Sequence, residues 1–172
     1  MRYVEELKYT ALILGDAEDY KLLDTLAKKY EKLLVAGIKI KNGMRPTKEW
    51  SILYKHLLDF LDEVEVIIPD YMVQIAAKKI THLYNKGKRI ICDTTLPFSF
   101  SPKNKVPIPI GEFINIENTL CIKRLPKLEH LELQWETRDK KKPKVLEGLN
   151  AWLEKSREGF WYLAFYETKE YS

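Results

Sequence analysis

Short apolar runs alternate with helical patterns through the first two-thirds of the chain, and this alternation is the strongest constraint on its fold. The apolar runs predict four strands, at residues 9–14, 33–40, 64–68 and 89–92. Strands separated by helices of about 10–15 residues indicate βαβ units and a parallel sheet. The sequence therefore predicts an α/β fold, a Rossmann-like open parallel sheet with helices on both faces.

Three helices are predicted between these strands. The first spans 19–32 and carries an apolar stripe with a charged back. The second follows Pro46, with Thr47 as its cap, and the third spans 71–86 with Gly87 at its C′ position. Each helix is expected to cover the sheet with its apolar side.

Three of the apolar runs end in an aspartate: Asp16, Asp70 and Asp93. The carboxyl ends of parallel strands lie at one edge of a sheet, where open α/β folds bind ligands. We therefore predict that the three carboxylates are catalytic and that Asp16 and Asp93 hold Mg²⁺ through oxygen ligands. The alternative is that each aspartate caps the helix that follows it. Asp93 precedes no evident helix, so it is the strongest candidate.

A hydroxyl-rich stretch follows Asp93 and suits a phosphate or a ribose. We predict that Thr94, Thr95 and Ser99 bind this ligand, the alternative being an ordinary loop. Gly15 stands alone after its strand, so neither G-x-G-x-x-G nor G-x-x-x-x-G-K-[ST] can be drawn. A standard dinucleotide site or P-loop is not expected.

Four of the eight prolines fall between residues 97 and 111. Proline fixes φ and lacks a backbone N–H, so neither a helix nor a central strand is expected there. We predict a mobile lid over the aspartate edge, the alternative being a plain linker. The predicted organisation is a Rossmann-like core at 1–96, a proline-rich loop at 97–111 and a smaller α+β part at 112–172, packed into the same domain.

The C-terminal part is predicted to contain an antiparallel hairpin and one helix. Short strands are expected at 113–116 and 120–124, and alternating apolar and polar residues at 131–135 predict a strand with one solvent-facing side. A helix is expected at 144–158. The last strand, 160–166, is apolar on both faces, so it is either central or covered by a partner. We infer homodimerisation from this strand.

The net charge of +4 permits contact with nucleic acid or phosphorylated ligands without requiring it. The basic run Arg138, Lys140, Lys141 and Lys142 is predicted to contact nucleic-acid phosphates. The alternative is a solvated connector.

The amino-acid composition of the chain predicts its cellular compartment and the kind of organism it comes from. Cys92 and Cys121 lie far apart without zinc spacing, which predicts reduced thiols in the cytoplasm. No stretch approaches the ~20 apolar residues that span a membrane. Abundant lysine and glutamate beside two glutamines predict a thermophilic source.

These observations favour a phosphate-ester or nucleotide-directed protein. In one interpretation it is a Mg²⁺-dependent phosphoryl-transfer or nuclease-like enzyme that uses the strand-end aspartates. In the other it is a non-catalytic Rossmann-like module for nucleotide sensing or interaction. Whether the chain is an enzyme stays open at this point.

Overall fold

The computed structural model describes residues 2–45, 47–84, 105–108, 114–115, 119–120, 131–136 and 149–171. The helices in this part of the chain are α1 (Ala17–Asn42), α2 (Trp50–Glu63) and α3 (Asp70–Tyr84). The strands are β1 (Arg2–Leu14), β2 (Lys105–Ile108), β3 (Ile114–Asn115), β4 (Thr119–Leu120), β5 (Leu131–Trp135), β6 (Asn150–Lys155) and β7 (Trp161–Tyr171). None of the helices in these ranges combines the length and hydropathy that crossing a membrane requires.

The strands form one antiparallel sheet in the order β2-β6-β7-β1-β5-β4-β3. The four longest strands, β5, β1, β7 and β6, are adjacent, and every strand pair is antiparallel. The protein is therefore a small α+β fold. The predicted Rossmann-like α/β fold with an open parallel sheet is wrong.

The predicted parallel strands fail for a local reason. Residues 33–40 belong to α1, where Leu33, Leu34 and Ile38 are buried and continue the helical spacing of the preceding turns. Residues 64–68 form a turn and an irregular segment, and Glu65 has a φ of 54°. Short apolar runs suit either a strand or a buried helix, and periodicity alone does not separate them. The predicted strand at 89–92 lies outside the described residues.

The C-terminal helix prediction is also wrong over the residues described. Residues 150–155 form β6, in which Ala151 and Leu153 are buried and pair with β7. The strand is followed by a hairpin loop at residues 156–160, where Gly159 has a φ of 93° and its N–H donates to the Ser156 carbonyl at 3.1 Å. Glycine is favoured at a left-handed position because it has no Cβ. Gly159 thus belongs to a hairpin loop and does not end a helix.

Strand β2 lies inside the proline-rich stretch, where no regular structure was expected. It forms one edge of the sheet, and Pro107 is paired with Trp152 of β6. Proline is tolerated in an edge strand because its missing N–H need not meet a second neighbour. The other prolines of the stretch, Pro97, Pro102 and Pro109, lie outside the described residues.

The chain divides into two compact units, with the boundary between Thr25 and Leu26 inside α1. The sheet unit comprises Met1–Thr25 and Asn104–Ser172, and the helical unit comprises Leu26–Lys103. In the sheet unit β7 lies between β6 and β1, so the last strand is central in the sheet. Of the two predicted alternatives, a central strand or a strand covered by a partner, the first describes its position.

The sheet unit has a buried inner face. Cross-strand neighbours in an antiparallel sheet share a face, and those aligned with Ala11 and Ile13 are buried: Leu133, Trp135, Ala151, Leu153, Trp161, Leu163 and Phe165. Trp161 Nε1 donates to Asp24 Oδ1 at 3.1 Å, and Lys155 Nζ pairs with the same oxygen at 2.8 Å. These bonds hold the start of α1 against this face.

The helical unit is built on close contact among its three helices. A Cβ at Gly37 would lie 2.6 Å from Ile80 Cδ1 and 3.4 Å from Leu57 Cδ2, so the absence of a side chain lets α1 approach α2 and α3. Helices α2 and α3 run antiparallel, since Tyr54 contacts Asp70 while Trp50, one turn earlier, contacts Lys78. The side chain of Lys41 is buried, and its Nζ donates to the Thr47 carbonyl at 3.2 Å.

Candidate nucleic-acid interface

Three exposed lysines form a line along the outer surface of α1. Lys28, Lys32 and Lys39 are each exposed, and at 3.6 residues per turn they fall within about 40° of one another around the helix axis. With a rise of 1.5 Å per residue, the line extends over about 16 Å. We call these three residues the lysine stripe.

The lysine stripe lies opposite the buried side of α1. Leu26, Ala27, Tyr30, Leu34 and Ile38 are all at most 4% exposed and occupy the other half of the helix circumference. Because the core anchors that half, the orientation of α1 directs the stripe to solvent. The stripe is thus set by the packing of the helical unit.

None of the stripe lysines forms a hydrogen bond or an ion pair with a residue that the structure describes. Three other lysines of the helical unit do have partners: Lys29 Nζ donates to the Ile67 carbonyl at 3.1 Å, Lys41 bonds the Thr47 carbonyl, and Lys78 lies 4.7 Å from the Trp50 ring centroid. The exposed Lys48 and Lys55 resemble the stripe lysines in this respect but do not lie on α1. Within the described part of the helical unit, the stripe is therefore a row of cations available to an external anion.

Asp16, predicted as a catalytic and metal-binding residue, caps α1. Its Oδ1 accepts from the Asp19 backbone N–H at 2.8 Å, and Asp19 Oδ2 accepts from the Asp16 N–H at 3.0 Å. The Asp16 carbonyl accepts the helical bond from Tyr20 at 3.1 Å. This reciprocal arrangement is a capping box, and it is the alternative that the sequence left open.

Asp70, the second predicted catalytic residue, joins α2 to α3. Its Oδ1 accepts from the Tyr54 hydroxyl at 2.5 Å, and its Oδ2 accepts from Gln74 Nε2 at 2.6 Å. The hydrogen bond to Asp70 is the main cause of a raised pKa for Tyr54. Both carboxylate oxygens are therefore occupied by side chains of the helical unit.

The parallel sheet edge that was to gather the aspartates does not form, because the described strands are antiparallel and residues 64–68 are not a strand. Asp16 and Asp70 belong to different units. Within the described residues no group of three or more His, Cys, Asp or Glu side chains is placed to hold a metal ion.

The remaining predicted site residues lie outside the described ranges: Asp93, Thr94, Thr95, Ser99, Arg138, Lys140, Lys141 and Lys142. Their roles stay predictions.

Sequence reasoning missed the lysine stripe because it ended the first helix too early. With residues 33–40 assigned to a strand, Lys39 was separated from Lys28 and Lys32. The signal that could have joined them is the spacing of four and seven residues, which keeps all three on one side of a continuous helix.

No protein-family model matches this chain, and no curated protein or solved structure matches it either.

Proposed function

We propose that this chain binds nucleic acid through the phosphate backbone, with the lysine stripe as its main contact. The observation that carries the proposal is a row of three exposed lysines on one side of α1 without partners among the described residues. A duplex carries one charge per about 1.7 Å of its axis, so lysines about 6 and 10 Å apart can each meet a phosphate.

One pair within the stripe opposes helix stability, whereas Lys39 lies in the last turn of α1, where a cation is favourable. Lys28 and Lys32 stand four residues apart, and like charges at this spacing destabilise a helix by about 0.2–0.5 kcal/mol. Phosphates of a bound strand would remove the repulsion.

The distribution of charge along the chain supports the same conclusion. Residues 26–103 carry 14 lysine and arginine residues against eight aspartate and glutamate residues. The rest of the chain has a small acidic excess, 15 basic against 17 acidic residues. The basic charge is thus concentrated in the segment that contains the lysine stripe, and a basic region of this kind attracts polyanions at long range.

Backbone contacts of this kind position a nucleic acid without reading its sequence. We therefore propose binding with weak sequence preference and strong salt dependence.

A Mg²⁺-dependent reaction on the bound phosphate ester is a separate prediction that rests on Asp93. A cytoplasmic location belongs to the proposal as well, because two widely separated cysteines suit a reducing compartment.

The proposal is tested by fluorescence anisotropy with a short labelled duplex of mixed sequence. The variant Lys28→Gln/Lys32→Gln/Lys39→Gln should bind about 10- to 100-fold more weakly near 0.1 M salt, because three phosphate contacts are lost. The matched control is Arg45→Gln/Lys48→Gln/Lys55→Gln, which removes the same charge from exposed positions of the same unit. Equal weakening by both variants would show general charge attraction and would contradict a defined interface.

A further inference from the structure

The large apolar side chains exposed in the described part of the sheet unit share one face. Leu7, Leu14 and Phe160 are 50%, 45% and 49% exposed. Leu7 pairs with Tyr166, Leu14 pairs with Glu132, and Phe160 precedes Trp161, whose side chain lies on the inner face. Because side chains alternate along a strand, all three project from the side opposite the inner face, which we call the outer face.

A β-bulge places Leu7 on this face. The register between β1 and β7 shifts between Leu7 and Tyr9, so Lys8 is an extra residue in β1. Regular alternation from Tyr9, which pairs with the buried Phe165, would direct Leu7 to the inner side instead. Lys8 Nζ is held by Glu167 at 3.1 Å and Glu6 at 3.4 Å, which fixes the irregular position. A bulge can re-aim a side chain in this way.

Partly exposed residues of the outer face adjoin Leu14 and Phe160, whereas Ala164 and Tyr166, toward Leu7, are buried. Leu12 pairs with Tyr162 on one side and Gln134 on the other, and both Leu12 and Tyr162 are partly exposed. Trp152 and Ala164 form the next cross-strand pair toward β6. Exposed apolar patches rimmed by polar residues are typical of interaction sites.

The rim of the outer face is acidic. Glu132 lies directly opposite Leu14, and Glu154 lies directly opposite Tyr162. The pKa of Tyr162 is raised, first by burial and then by the negative charges of Glu136 and Glu158. The strand residues of this face whose side chains are described include no lysine or arginine, and the hairpin loop that carries Glu158 also carries the exposed Arg157. A phosphate backbone would be repelled here, so this surface is distinct from the lysine stripe.

We propose that the outer face docks a segment of a partner protein in which lysine or arginine residues alternate with apolar ones. The apolar side chains of the segment would cover Leu12, Leu14 and Phe160, and its cations would meet the glutamates at the rim. Burial of apolar area supplies the affinity, and the complementary charge selects a basic partner over other apolar surfaces.

The probe is a fluorescein-labelled peptide of alternating lysine and leucine, titrated with the full chain. Leu14→Ser/Phe160→Ser should weaken binding about tenfold or more, since two apolar anchors are lost. Glu132→Gln/Glu158→Gln should weaken it several-fold and reduce its salt dependence. The control variant Ile52→Ser/Ile67→Ser removes two exposed apolar side chains from the helical unit and should bind like the unmodified chain.

Three results would overturn the proposal. The first is equal weakening by the control variant, and the second is equal affinity for a peptide of alternating glutamate and leucine. The third is a dimer in light scattering that Leu14→Ser/Phe160→Ser dissociates, because the occupant would then be a second copy of the chain. Duplex binding should be unchanged in Leu14→Ser/Phe160→Ser, which alters no charge, so this test is independent of the lysine stripe.

Discussion

Asp16 and Asp19 close the first turn of α1 by accepting each other's backbone N–H, at 2.8 and 3.0 Å. Both carboxylates also lie near the positive end of the helix dipole, which stabilises them further. A residue predicted from sequence to be catalytic thus has a clear structural role.

The capping arrangement predicts the behaviour of two substitutions. Asp16→Ala should lower the free energy of unfolding by about 1 kcal/mol, whereas Asp16→Asn should change it little because asparagine caps equally well. Urea denaturation measures both, with Asp62→Ala, an exposed aspartate on α2, as the control. If Asp16→Ala left stability unchanged but abolished Mg²⁺ binding in calorimetry, the metal-binding prediction would be correct and the structural role wrong.

Asp70 should be more important for stability than its partial exposure suggests. Asp70→Ala leaves the Tyr54 hydroxyl and the Gln74 amide without their acceptor, and hydrogen bonds to charged groups are worth about 1.5–3 kcal/mol. Partial exposure places the expected loss at the lower end of that range. The pKa of Tyr54 should fall toward its ordinary value of 10.0, which a phenolate absorbance titration detects. An unchanged Tyr54 titration would show that the bond does not persist in solution.

The locations of the three helices were predictable from their amphipathic patterns, although α1 continues ten residues beyond its predicted end at residue 32. The predicted helices at 19–32 and 71–86 overlap α1 and α3, and the one after Pro46 corresponds to α2. The sheet was not predictable in the same way. Strand β1 pairs with β5 and β7, more than a hundred residues away in sequence, and no local pattern encodes that choice.

The candidate sites follow the same rule: a role set by neighbouring residues could be predicted from sequence, and a role set by residues far apart in sequence could not. The capping role of Asp16 was available from sequence, since an acidic residue three positions later completes the box. The outer face could not be identified from sequence, because the residues that lie on it are determined by cross-strand register and by the bulge at Lys8. A register difference of one residue moves a side chain to the other face, so an exposed Leu7 could not be inferred from alternation alone.

Tyr30 offers a test of the helical core. Its side chain is 1% exposed, and its hydroxyl has no hydrogen-bond partner among the described residues. Burial, with a smaller contribution from Tyr71, raises its pKa above 10.0. In the unfolded chain the phenol ionises near pH 10, so the folded state binds the proton more tightly and stability falls as the pH rises above that value.

Tyr30→Phe should therefore be neutral or stabilising by up to about 1 kcal/mol at neutral pH, because an unpaired buried hydroxyl is removed. It should also reduce the loss of stability above pH 10. Denaturant unfolding at neutral and alkaline pH measures both effects. Tyr54→Phe is the contrasting variant, since it removes a hydroxyl that is hydrogen-bonded and should destabilise. A clear loss of stability in Tyr30→Phe at neutral pH would indicate a hydrogen bond to that hydroxyl in solution.

The most direct test of the lysine stripe is the salt dependence of duplex binding. For each phosphate contact, log K falls by about 0.9 for every tenfold rise in salt. Titrations between about 50 and 200 mM salt should therefore give a slope that is shallower by about 2–3 for Lys28→Gln/Lys32→Gln/Lys39→Gln than for the unmodified chain. A slope that is the same in both proteins, or no duplex binding by the unmodified chain at the lowest salt, would contradict nucleic-acid binding by the stripe.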